Sequence, residues 1–327
     1  MRVRFLYLWA MLAATGVLAS YGPVASAEKI DFPQKGKMIN VIVSYAPGGA
    51  SDSGARLIAA GMEKELGTSV VIVNKPGAST QIGTTELARS KPDGYTLGSI
   101  TFPTTLSTYL DPTRKATYNR SSFAPIGMYF AELAVVVVKT DSPFQNIKDV
   151  VEAAKAKPGA LKAGDGGMMA FTHLASLAVQ KATGTRFASV HFDGGGAGTI
   201  ALLGGHLDIG VFGSGNLTAQ YKAGQLRILA VLDKQEASFL AGVKTLESQG
   251  YKVYFPGSYG IAAPAGTPKE VVDVLNGAMK SALEKKELRD RFRDIGVEPR
   301  YADPDTFAAF WADQDKEVKT LMEMAMQ

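Results

Sequence analysis

Apolar positions along this chain fall into short runs broken by glycine and proline. Ile39–Tyr45 is the first such run after residue 30. It leads through Ala46-Pro47-Gly48-Gly49-Ala50 into Ser51 and Asp52, and then into Leu57, Ile58 and Met62 at helical spacing. The pattern predicts a strand over 39–45 and a helix over 51–66, with Ser51 and Asp52 as capping residues. Val70–Val73 predicts a second strand, Gly83–Ser90 a helix and Tyr95–Ile100 a third strand. That order is βαβαβ, the signature of a parallel sheet with helices on its faces. Pro47-Gly48, Pro76-Gly77 and Asp93-Gly94 punctuate it.

A second block begins near Ile126. Leu133–Val138 reads as a buried strand, and Asn146–Lys157 as an amphipathic helix stopped by Pro158-Gly159. Leu174–Thr183 and Thr199–Leu203 read as helices, and Phe187–Phe192, Ile209–Phe212 and Ile228–Leu232 as strands. The chain then returns. Tyr259–Ala263 is strand-like, Pro268–Lys285 is a long helix with Pro268 in its first turn, and Asp303–Met324 is a last helix capped by Asp303. The expected architecture is two α/β domains: 28–125 completed by 256–327, and 126–255. Hinges are expected near Ala124–Met128 and Tyr251–Ser258. Two such lobes leave a cleft, and ligand sites favour domain interfaces.

Residues 1–27 are expected to be a cleaved signal peptide. Arg2 and Arg4 precede an apolar run, and Ala25-Ser26-Ala27 is a small-residue cleavage pattern. Cleavage after Ala27 leaves 300 of the 327 residues and lowers the formal net charge from +4 to +2. A slight excess without basic clusters gives nucleic-acid binding no support. The chain has no cysteine. Export without disulfides points to a periplasm, and 300 residues suffice for a core without them.

The chemistry-bearing positions gather at predicted strand ends, where open α/β sheets bind ligands. Gly48–Asp52 aims helix amides at one point and suits an anion; an ordinary capped turn is the alternative. Pro76–Thr80 and Thr101–Thr105 add small and hydroxyl residues at two neighbouring ends. Gly164–Gly167, before His173, and Asp193–Gly198 are glycine loops of the second block. Gly196-Ala197-Gly198-Thr199-Ile200-Ala201 has the dinucleotide pattern but lacks the acidic residue it needs further on. His173, His191 and His206 show no metal-ligand spacing, and His191 with Asp193 supplies only two ligands. No metal and no cofactor is expected. Neither a nucleophile elbow nor a phosphate loop of the P-loop type occurs. Asp52 and Arg56 stand four apart and are expected to pair, and the Met322–Met326 end is expected to pack rather than bind.

Taken in order, these segments resemble the Bug-type substrate-binding proteins, the periplasmic component of tripartite tricarboxylate transporters. Phe32-Pro33 opens the set. Pro47-Gly48-Gly49, Asp52 and Arg56 follow, then Leu66-Gly67, Val71–Val73, Asn74 and Pro76-Gly77-Ala78. Ile82-Gly83, Pro92–Leu97, Phe123 with Pro125–Gly127, His173-Leu174 and Leu202–Asp208 complete it. The resemblance implies a two-lobed, clam-like periplasmic-binding-protein fold that closes on a small carboxylate (a dicarboxylate, an amino acid or an aromatic acid). It implies no catalysis, a monomer, and delivery to membrane permease subunits; a sensor protein is the alternative partner, and an exported hydrolase the alternative function. The pocket it implies is Tyr45, Gly48, Gly49, Ala50, Ser51, Asp52, Ser79, Thr80, Gln81, Thr101, Gly166, Gly167, Met169, Ala170 and His173, with Asp193 where the family often has Lys. Ser79 and Thr80 replace family glycines, and Met169 and Ala170 replace Gly and a hydroxyl residue. The expected ligand therefore has one carboxylate and an apolar or aromatic body.

Overall fold

The computed structural model describes residues 31–325. The expected leader and its cleavage point after Ala27 lie outside them, as does Met326. Two sheets organise the chain. In the first, β1 (Ile39–Val43) pairs in parallel with β2 (Val70–Asn74) and β3 (Thr96–Phe102). The crossovers are α1 (Ala50–Leu66) and α2 (Gln81–Ala88), and α3 (Thr104–Leu110) follows β3. β4 (Phe123–Glu132) and the returning β10 (Gly257–Pro264) add antiparallel strands, and β11 (Glu298–Ala302) closes the edge beside β4. The order is β11-β4-β10-β3-β1-β2.

The second sheet, in order β7-β6-β8-β5-β9, is built from β5 (Ala134–Lys139), β6 (Lys162–Asp165), β7 (Ala188–His191), β8 (Ile209–Gly213) and β9 (Leu226–Val231). Its helices are α4 (Ile147–Ala156), α5 (Phe171–Thr183), α6 (Gly195–Leu203) and α7 (Thr218–Lys222). After β10 come α8 (Lys269–Glu284), α9 (Lys286–Asp294) and α10 (Pro304–Ala325). β1, β3 and β8 are buried along nearly their whole length, as strands covered on both faces are, whereas β2 and β7 stand at sheet edges and are only partly buried.

The chain changes sheet at Leu133, between the end of β4 and the start of β5. The expected boundary at 125/126 and the expected hinge at Ala124–Met128 fall inside β4, where those residues pair along β10. Pro125 and Gly127, which punctuate the sequence like a linker, lie where that pairing shifts register. The return crossing lies between β9 and β10, a connection over 232–256 that the expected Tyr251–Ser258 stretch overlaps at its end, its last two residues falling in β10. Because β5 starts where β4 ends and pairs with the end of β8, the carboxyl edges of the two parallel sets approach each other at the crossing.

Three apolar clusters fill the fold. One packs α1, α8 and α9 on the first sheet, around Ile58, Met62, Phe130, Leu275 and Phe292. A second lies under α10 and continues into the second lobe, linking Phe102, Phe307 and Trp311 with Phe171, Leu174 and Phe255. Phe102 stands edge-on to Phe307 and Trp311, with centroids 5.6 and 5.2 Å away. α10 therefore touches α3 and β4 of the first lobe and α5 of the second. Met322 is buried in this cluster and Met324 packs against it, which is the packing role expected of them. The third cluster lies on the far face of the second sheet.

Several helix starts differ from the sequence reading. Gly49 is the α1 cap, with Ser51 and Asp52 inside the first turn. Pro268 caps α8 from just outside it. Asp303 does cap α10, accepting the Thr306 N–H at 2.7 Å.

Glu132 stands at the crossing. It is buried on all sides, accepting from the Tyr259 hydroxyl at 3.0 Å and from Asn216 Nδ2 of the second lobe at 3.1 Å. A Cβ on Gly213 would lie 2.1 Å from its carboxylate, so glycine is the residue that fits there. Burial pushes the Glu132 carboxyl up to about 7, while the Tyr259 hydroxyl and the Gly215 amide pull against that rise. The folded chain thus holds a proton that the unfolded chain releases at lower pH. Stability falls as pH rises from about 4.5 to about 7, by roughly 3 kcal/mol in all. The gap in unfolding free energy between Glu132→Gln and the parent should widen by that amount across this range. Denaturant titrations at a series of pH values measure it; a gap that stays constant contradicts a raised carboxyl.

Candidate functional site

The first wall grows from the β1 end. Asp52 is 3% exposed and its carboxylate is fully engaged. Oδ2 accepts from the Gly48 N–H and Arg56 Nε, both at 3.0 Å, and Oδ1 from Asn74 Nδ2 at 2.9 Å. Burial would raise the Asp52 carboxyl, but the bonds from Arg56, Asn74 and Gly48 outweigh it and hold it below the ordinary range. Asp52 is thus a clamp that ties loop, helix and β2 together, and the Gly48 amide is spent on it. Arg56 pairs with Asp52 as its spacing predicts, at 2.9 Å. The first-turn amides of Ala50, Ser51 and Asp52 have no helical acceptor, as at any helix start. Gly49 offers them no side-chain cap. The Ser51 hydroxyl is buried without a hydrogen-bond partner.

Tyr45 follows β1. Enclosure of its hydroxyl pushes the phenol up to about 12, with the Thr104 hydroxyl lowering it and Glu132 raising it. Tyr45 therefore sits between the β3 end and the lobe junction. Thr101 contributes a buried hydroxyl without a partner, and so does Ser258 on the neighbouring β10. Ser258 had no sequence signal beyond its place near an expected hinge. The third loop is differently occupied. Ala78, Ser79 and Thr80 all take positive φ, from 48° to 80°. Gln81 Nε2 donates to the Arg114 carbonyl and Thr108 to the Ser79 carbonyl. Thr80 is buried beside Tyr118, whose own hydroxyl is unpartnered. Ser79 is exposed, while Thr80 and Gln81 turn to the α2–α3 side of the loop.

In the second lobe, most amides of the glycine loop are already used. Gly166 donates to Thr172 Oγ1 at 2.7 Å, Gly167 to Asp165 Oδ1 at 2.9 Å and Ala170 to the Gly167 carbonyl at 3.1 Å. Met169, at φ 59°, donates its N–H to His173 Nδ1 at 3.0 Å. An N–H can only donate, so the neutral His173 ring carries its proton on Nε2. Burial keeps His173 below the usual histidine range; Asp165 works against that and His191 with it. His191 Nδ1 lies 2.9 Å from Asp165 Oδ1, and the rings of His173 and His191 stand edge to face at 4.6 Å. Asp193 is exposed. Met169 and Ala170 are half-buried, leaving an apolar surface where hydroxyls had been replaced.

The junction joins these walls. A Cβ on Gly257 would lie 2.7 Å from the Phe171 ring, so the α5 start rests against the β10 start. Asn216 bridges from Glu132 toward Gly195 at the α6 start. A cavity of about 380 Å³ opens beside the first loop, lined by Gly48, Gly49, Ala50 and Ser53, by Gly215, Thr218, Ala219 and Lys222, and by Asp294 and Ile295 at the end of α9. The Gly215–Lys222 stretch was missed in the sequence. It follows a short strand and carries no ligand pattern, and Lys222, the last residue of α7, gave no signal in the sequence. The free α1 amides and Lys222 offer donors to a small anion, while Asp294 in the same lining sets a charge of the opposite sign beside them.

A family model described as "Tripartite tricarboxylate transporter family receptor" matches residues 54–326. A Cupriavidus necator protein, the UPF0065 protein in the gbd 5′ region, is 29% identical, with 98% of this chain and 97% of that one covered. A TctC solute binding protein from Polaromonas has a similar structure, with TM-score 0.77 and 29% identity over 89% of this chain and 99% of that one. The periplasmic binding protein BugD is similar at TM-score 0.73 and 29% identity, over 88% and 97%. The two α/β lobes, crossed by the chain once outward and once on its return, and the match over most of the chain agree: the chain belongs to the tripartite tricarboxylate transporter receptor family, with the two-lobed fold of periplasmic binding proteins.

Proposed function

We propose that this protein is an extracytoplasmic receptor that captures a small carboxylate between its lobes and delivers it to the permease subunits of a tripartite tricarboxylate-type transporter. The observation that carries the reading is the α1 start. Its amides lack a side-chain cap, the Ser51 hydroxyl beside them is buried without a partner, and Gly49 and Ala50 line a cavity shared with Lys222 and Asp294. Helix amides, a hydroxyl and a lysine meet the needs of a carboxylate without an arginine. Tyr45, Thr101 and Ser258 supply further polar atoms toward the junction. The half-buried Met169 and Ala170 suit an apolar ligand body, because Met adapts its shape. The ligand we assign is one carboxylate on an apolar or aromatic body, bound by a periplasmic monomer without catalysis.

A thermal-shift panel of mono-, di- and aromatic carboxylates tests this. Stabilisation by monocarboxylates with aromatic or aliphatic bodies is expected; stabilisation by citrate alone contradicts it. Ser51→Ala should leave unliganded stability unchanged or slightly higher, since it removes an unpartnered buried hydroxyl. It should also weaken the best ligand about tenfold, by about 1.4 kcal/mol. Asp52→Ala, in contrast, should lower unliganded stability by about 2–3 kcal/mol, because it strands Arg56, Asn74 and the Gly48 amide. Urea titration and calorimetric titration separate the two effects; equal behaviour of the two variants contradicts the division between clamp and ligand donor.

A further inference from the structure

Two of the chain's three histidines meet beside a buried carboxylate. We propose that Asp165, His173 and His191 form a binding site for a first-row transition-metal dication of the zinc class. The site goes beyond the carboxylate reading and stands or falls independently of it. One oxygen of Asp165 and one nitrogen of each ring already lie within 4.8 Å of one another. The scaffold holds them there. β6 and β7 run in parallel with Asp165 directly opposite His191, and His173 stands in the first turn of α5, immediately after the loop that leaves β6.

The donor chemistry selects the ion. Two imidazoles and one carboxylate match zinc, cobalt, nickel or copper, and suit the oxygen-seeking magnesium and calcium poorly. Three protein ligands leave a coordination position open for water or an anionic oxygen. Asp165 is 1% exposed and is held by the Gly167 amide and His191, and a dication would match its buried carboxylate more fully than these contacts do. His173 Nδ1 spends its lone pair on the Met169 amide. A metal bound at that nitrogen displaces this amide, and one neutral hydrogen bond is small beside a metal–nitrogen bond. Metal binding is then coupled to the Gly166–Ala170 loop, where Met169 already holds a positive φ.

The test uses untagged protein, purified after export and stripped with a chelator. Calorimetric titration with zinc chloride should show one ion per chain, thermal unfolding should shift upward with zinc, and magnesium should do neither. His191 is 28% exposed at its side chain, so His191→Ala should fold, and zinc affinity should drop by about tenfold or more. Asp165→Asn should drop it likewise, while His206→Ala, elsewhere in the lobe, should leave it unchanged. No zinc uptake, or uptake that His191→Ala leaves intact, would show that the three residues are only a hydrogen-bonded cluster and would overturn the proposal.

Discussion

The lobes of this protein are joined around one buried carboxylate. Glu132 ends the strand that leaves the first sheet, and its partners come from the returning strand, through Tyr259, and from the second lobe, through Asn216 and the Gly215 amide. A carboxylate without water must be bonded or neutralised. Here it is bonded from both lobes, so the polar group that costs most to bury also fixes where they meet. Gly213 and Gly257 allow the close approach, the one to Glu132 and the other to Phe171. The carboxyl edges of both sheets are thereby brought to a common junction, with the α1 start and Tyr45 beside it.

A division of labour follows at the first glycine loop. The conspicuous acidic residue, Asp52, spends its carboxylate on the protein itself, drawing the Gly48 amide, Arg56 and Asn74 into one unit. The groups left over are small: first-turn amides, one serine hydroxyl, and a lysine across the cavity. In the proposed function such a site reads an anion through preorganised donors rather than a bidentate cation, and the clamp supplies the rigidity.

The main strands and helices were legible because both faces of the sheets are covered and leave continuous apolar runs. Elements without that signature escaped. β11, Glu-Pro-Arg-Tyr-Ala, is a half-exposed edge strand, and α9, Lys-Glu-Leu-Arg-Asp-Arg-Phe-Arg-Asp, buries only Leu288 and Phe292. α3 buries hydroxyl residues rather than an apolar stripe. β4 was missed, and a hinge was expected in its place, because Pro125 and Gly127 look like a linker when their pairing with β10 is unseen. The glycine loops of the site were legible as strand-end signals. The roles of Gln81 and Thr80 were not, because their partners, Arg114 and Tyr118, lie far along the chain. The meeting of Asp165 with His191 depends on β6 and β7 being neighbours in register, which local pattern does not specify.

The central claim is that a carboxylate is held at the α1 start, between the lobes. A crystal structure of the protein with its most stabilising carboxylate tests it most directly. The account predicts the carboxylate within hydrogen-bond distance of the amides of Ala50 and Ser51 and of the Ser51 hydroxyl, with the ligand body turned toward Met169. A ligand bound elsewhere, or in the cleft without contact to Gly49–Ser51, would contradict it.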